Sequence, residues 1–80
     1  MPEEELFKTE EREPRSAIAT ALRDAADQIE SGTVQLASGE QKRTVAVPET
    51  PRFEVELERL ADSETGEQRY ELEYEIRWTK

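Results

Sequence analysis

The chain has 80 residues, 20 acidic and 11 basic side chains, a net charge of −9 and neither cysteine nor histidine. A chain this short makes one domain with one small core and buries roughly 60–65% of the surface that its unfolded form exposes, and without Cys or His it has no disulfide and no ordinary zinc site, which leaves only carboxylate sites for hard cations. No apolar run approaches the roughly 20 residues that span a bilayer, and the start Met1-Pro2-Glu3-Glu4-Glu5 is acidic where a secretory leader is basic, so a soluble, cytoplasmic protein is expected.

The acidity is almost all glutamate: only Asp24, Asp27 and Asp62 are aspartates, and lysine is limited to Lys8, Lys42 and Lys80. Such a surface repels phosphates and anionic lipid, so neither direct nucleic acid binding nor a membrane is expected. Three readings of the charge stay open: plain solubility, adaptation to a cytoplasm of molar salt, and a surface that mimics nucleic acid or binds a basic partner. Glutamate spread along the whole chain, with lysine depleted, favours salt adaptation.

In chain order, residues 1–4 are expected to form a disordered end and residues 4–12 a short first strand, although Leu6 and Phe7 cannot share one face of it. Pro14 suits a first helical turn, because its missing N–H would have no intrahelical partner there. Ile18, Leu22, Ala25, Ala26 and Ile29 then recur at helical spacing, and Gly32 stands where a left-handed residue ends a helix, which predicts a helix over residues 14–31. Val34 and Leu36 face Val45 and Val47 if a hairpin pairs Leu36 with Val45 and Val34 with Val47, leaving Gly39-Glu40-Gln41-Lys42 as a four-residue loop. Pro48-Glu49-Thr50-Pro51 makes a stiff connector, since proline is unfit for a central ladder.

A further strand over residues 52–60 carries Phe53, Val55 and Leu57 on one face and Glu54, Glu56 and Glu58 on the other. After the polar loop over residues 62–68, the final strand sets Tyr70, Leu72, Tyr74, Ile76 and Trp78 on one parity against Arg69, Glu71, Glu73, Glu75 and Arg77 on the other. The expected fold is α+β: one helix packed on a twisted antiparallel sheet of about five strands, in the order β-α-β-β-β-β. The apolar residues of the helix, hairpin and last two strands would form its core, with the sheet end near Trp78 either exposed or buried by a second copy.

These alternating Glu/apolar strands, the last ending in Ile76-Arg77-Trp78 after an Ala-rich helix and a Gly-containing hairpin, resemble the amphi-Trp domain over nearly the whole chain. That small family occurs largely in salt-loving archaea and in some bacteria. The resemblance implies a single stand-alone domain over residues 1–80 and salt adaptation. The family has no established activity, so the resemblance transfers no site beyond the pattern position of Trp78.

The chemistry is sparse. If the last two strands pair with their apolar faces together, Glu54, Glu56 and Glu58 share an outer face with Glu71, Glu73 and Glu75. Like charges directly opposite cost a few tenths of a kcal/mol per pair at low salt, and Arg52, Arg69 and Arg77 can relieve only the ends. That face is a candidate acidic surface for cations or a basic partner, or else a solvated face screened by salt. Paired carboxylates could serve acid–base catalysis, but so small a domain offers little concavity. The loop Asp62-Ser63-Glu64-Thr65-Gly66-Glu67 only faintly follows a calcium loop, lacking the ligand at the fifth position and a bidentate Glu at the right distance. No glycine opens a helix to cradle a phosphate, and no histidine activates a serine.

No catalytic residue, metal ligand or cofactor is therefore expected. Phe53, Tyr74, Ile76 and Trp78 are the candidate interface, an aromatic row that is either core or a docking surface. The expected function is a non-enzymatic, salt-adapted acidic protein-interaction module, a homodimer or the binder of a protein partner. The alternative is a small ligand- or cation-binding protein or enzyme with a carboxylate site between subunits, and an acidic nucleic acid mimic is a third reading.

Overall fold

The structure, a computed structural model, describes residues 3–80. The chain contains one helix, α1 (Arg15–Ser31), followed by four strands: β1 (Thr33–Ser38), β2 (Gln41–Ala46), β3 (Arg52–Ala61) and β4 (Gln68–Arg77). It is α+β, and it divides into two compact units, Met1–Glu49 and Thr50–Lys80. The strands form two antiparallel two-stranded ladders, β1–β2 and β3–β4, in place of the single five-stranded sheet expected.

In the first unit the helix begins one residue later than the proline suggests. Pro14 is extended (φ −64°, ψ 149°) and its carbonyl accepts the N–H groups of Ala17 and Ile18 at 3.0 and 3.2 Å. No side chain caps this end. At the other end Gly32 takes φ 93° and donates to the carbonyls of Gln28 and Ile29, a left-handed stop that a side chain would disfavour. The helix packs on β1, and Gln28 ties the two together: its Oε1 accepts the Gln35 N–H at 2.7 Å while its Nε2 donates to Asp24.

The expected hairpin forms, but its register is shifted by two residues. Val34 faces Val45, Leu36 faces Arg43 and Ser38 faces Gln41, so the loop is only Gly39-Glu40. Gly39 has φ 56° and, among the described residues, no non-glycine residue has positive φ, the sign pattern of a type II′ turn with glycine in its first central position. A two-residue turn whose twist matches the strands wins over the longer loop, and a shift by two leaves every side chain on its expected face. Val47, past the end of β2, donates to Gly32 at 2.9 Å and prolongs the same register.

The strand expected over residues 4–12 is absent. Its backbone is instead gripped by side chains of β2: Gln41 accepts the Lys8 N–H and donates to the Lys8 carbonyl, and Arg43 Nε donates to the Leu6 carbonyl. With Leu6 and Phe7 adjacent, no alternation commits this stretch to a ladder. Of the disordered end expected over residues 1–4, residues 1–2 lie outside the described residues; Glu3 and Glu4 are exposed and belong to no element.

In the second unit β3 and β4 run antiparallel over ten residues each, with Phe53 opposite Ile76, Val55 opposite Tyr74 and Leu57 opposite Leu72. The connection is organised by Asp62, whose Oδ1 accepts the N–H groups of Glu64 and Thr65 at 2.8 and 3.3 Å, while its N–H donates to the Glu67 carbonyl.

The expected core is not enclosed. Among the described residues none is buried, and Ile29, Val34, Val47 and Ile76 are half-buried at most. Each ladder supplies one layer; α1 packs on β1, whereas β3–β4 has no second layer within its own unit.

Candidate interaction surface

The β3–β4 hairpin separates apolar and charged side chains completely over its middle. The register places Phe53, Val55 and Leu57 beside Ile76, Tyr74 and Leu72 on one face. Parity continues that face to Tyr70, which stands opposite Arg59 and whose hydroxyl donates to Gln68 at 2.9 Å. The Phe53 and Tyr74 rings, diagonal neighbours near the open end of the ladder, lie 6.3 Å apart with planes inclined by 13°, an offset stack.

Within its own unit nothing covers this face: Phe53 is 64% exposed, Leu57 68%, Leu72 60% and Tyr74 56%, and together they make a contiguous apolar patch. Of the four residues expected to form an interface, Phe53, Tyr74 and Ile76 come together here, and Ile76 is half-buried. Trp78 lies just past the end of β4 and is 38% exposed, the most sheltered aromatic of this unit.

The opposite face carries the glutamates in three directly facing pairs: Glu54 with Glu75, Glu56 with Glu73 and Glu58 with Glu71. Relief comes from the ends, as charge placement along the strands predicts. Arg77 reaches Glu54 across the ladder (3.3 Å) and Glu75 along its own strand (3.1 Å), and Arg69 lies 3.7 Å from Glu71. Arg52 faces Arg77 and makes no ion pair among the described residues. The middle pair, Glu56 and Glu73, has no arginine. Accordingly the Glu56 carboxyl is held above its ordinary range, first by a hydrogen bond with the Glu58 carboxyl and by the Glu58 charge, then by Glu54 and Glu73.

The Asp62 carboxylate is spent on its own backbone, and those N–H groups of Glu64 and Thr65 lower its pKa. Among the described residues no three carboxylates converge as metal ligands, and no helix is long and apolar enough to cross a membrane. In the first unit a cleft of about 520 Å³ between Phe7, α1 and β1 is open to solvent and lined by Ala17, Ala21, Ala25 and Val34 as well as by polar groups. Glu11, Glu13 and Asp24 are among those polar groups.

Sequence reasoning missed two members of the hairpin faces. Arg59 sits on the apolar face and Leu60, opposite Arg69, on the charged one. Continuing the parity of β3 by two residues would have shown both.

One family model matches the chain: the Amphi-Trp domain, over residues 1–80. No curated protein and no solved structure matches it.

Proposed function

The chain belongs to the Amphi-Trp domain family over its whole length, and from that premise we propose that it is a non-enzymatic, salt-adapted, cytoplasmic module that binds protein through the apolar face of β3–β4. The observation that carries this reading is the exposure of Phe53, Val55, Leu57, Leu72 and Tyr74 together on one face of the hairpin, with the strand carboxylates confined to the other. A contiguous apolar patch with charge excluded from its centre has the composition of an interface core. The matching surface on the partner is apolar and uncharged, since the β3–β4 face offers only Arg59 as a charge.

The glutamate face has a different task in this reading. Its facing pairs repel in dilute buffer and are screened in molar salt, where the Debye length falls to about 3 Å. Hydrated carboxylates on the outer face keep the protein dispersed while the apolar face stays free to dock.

The test is capture on the immobilised full chain at molar KCl, comparing the natural sequence with Leu57→Lys and with Glu58→Lys. The expected result is a bound protein lost with Leu57→Lys and kept with Glu58→Lys, both variants retaining the unfolding transition reported by fluorescence of Trp78, which lies in the same unit. Capture that is indifferent to Leu57→Lys, or that follows Glu58→Lys instead, would sink this reading and favour recognition through the acidic face.

A further inference from the structure

We infer that the occupant of the β3–β4 apolar face is a second copy of this chain, in a two-fold stack of hairpin on hairpin; this rests on the interaction-module reading above and names its partner. The starting point is area. Phe53, Val55, Leu57, Tyr70, Leu72 and Tyr74 are each between 54% and 68% exposed. Six side chains of this size leave on the order of 700 Å² of this face in water per copy, close to the roughly 800 Å² that each partner contributes to a stable interface.

Shape and charge favour a copy over an unrelated protein. A two-fold axis lying between two copies brings the same face of each together, with the central residues Val55, Leu57, Leu72 and Tyr74 packed across it. Apart from Arg59, beside Tyr70 toward one end, the face presents the same uncharged, aromatic and aliphatic chemistry that it needs to meet. A net charge of −9 would oppose association of like chains. Here, however, every glutamate of the two strands is on the face away from the contact. Stacked sheets lie about 10 Å apart, so the two carboxylate rows sit farther apart than that, on the two outer surfaces and beyond the Debye length of about 8 Å at physiological salt.

Availability points the same way. An isolated two-stranded hairpin is not stable in water without packing on its apolar side. Whatever covers β3–β4 must be present wherever the chain folds, a condition that a second copy meets and a scarce foreign partner does not. The stack would also place Trp78, at the end of β4, beside the rim of the contact.

The test uses the full chain in molar KCl and measures its mass by sedimentation over a dilution series. The expected result is a dimer that Leu57→Lys weakens by roughly 30-fold or more, the factor for loss of an interface hot spot, and that Glu58→Lys leaves intact. Because Leu57→Lys could unfold the hairpin, a second pair of variants is needed. The chain has no cysteine, so Leu57→Cys and Glu58→Cys each introduce one thiol, and a short bismaleimide should trap a dimer from the first and not the second. A monomer at every concentration, a dimer insensitive to Leu57→Lys, or equal trapping from both thiols overturns the inference. If the chain is monomeric but Leu57→Lys still abolishes capture of another protein, only the identity of the partner has failed. If neither association nor capture depends on this face, the interaction-module reading has failed with it.

Discussion

Arg77 is the residue on which the balance of the acidic face turns, and its removal gives a salt-dependent signature. Its guanidinium lies 3.3 Å from Glu54 and 3.1 Å from Glu75, two carboxylates that face each other across the ladder. The side chains of Arg77, Glu54 and Glu75 are 51%, 43% and 45% exposed, so each ion pair belongs to the weak surface class. Arg77→Gln removes both pairs and leaves Glu54 and Glu75 repelling. At a few tenths of a kcal/mol for each of the three effects, the loss is about 1 kcal/mol in dilute buffer. For a domain of this size that lowers Tm by about 4–8 °C. In 1 M KCl the Debye length of about 3 Å screens most of it, and the difference from the natural sequence should shrink below about 2 °C. Trp78, the only tryptophan, lies in the same unit and reports the transition by fluorescence. Arg52→Gln is the control: facing Arg77 without an ion pair of its own, it should leave Tm unchanged or slightly higher. An equal loss of Tm in dilute buffer and in 1 M KCl would show that Arg77 acts by packing, and the account of the acidic face as screened by salt would fall.

Gly32→Ala should cost about 1 kcal/mol in urea unfolding followed by circular dichroism, because φ 93° is strained for alanine while the Cβ itself would meet nothing within 4 Å. No loss would mean that the helix does not end on a left-handed residue. The pH profile has two limbs. Glu56 has a raised pKa, so its contribution is fully present below its ordinary 4.5 and is lost as pH rises through the higher folded value. Asp62 has a lowered pKa, so its contribution is present above its ordinary 3.8 and is lost as pH falls through the lower folded value. Mild acidification from neutrality should therefore raise Tm and stronger acid should lower it. Glu56→Gln should remove the first effect and Asp62→Asn part of the second; unaltered profiles in both variants would refute these assignments.

Local periodicity made the helix and the four observed strands legible, because Ile18, Leu22, Ala25 and Ile29 and the alternating strands each repeat at the spacing of their element. The β1–β2 register was legible only to within two residues. Both pairings put Val34, Leu36 and Val45 on one face, so parity could not choose between them, and the turn geometry at Gly39 did. The facing glutamates of β3–β4 followed from parity and antiparallel pairing, and the end relief by Arg69 and Arg77 followed from their positions. The division into two ladders was not legible, because which strands become neighbours is decided by long-range contacts that leave no periodic trace. The same holds for the apolar face at Phe53 and Tyr74: alternation shows that one side of a strand avoids water, and it is silent on what covers that side.

The bond between Gln28 and β1 also bears on aggregation. Val47 pairing with Gly32 puts Val34 and Leu36 at the hydrogen-bonded positions of the β1–β2 ladder, so the Gln35 N–H points away from β2, toward the free edge of the hairpin. A free edge of this kind is a template for another chain's strand. Gln28 Oε1 takes that N–H at 2.7 Å and so occupies the middle rung an incoming strand would need. A helix side chain thus blunts the edge without adding a strand, and a protein that leaves one sheet face apolar keeps uncontrolled strand addition away from a second surface.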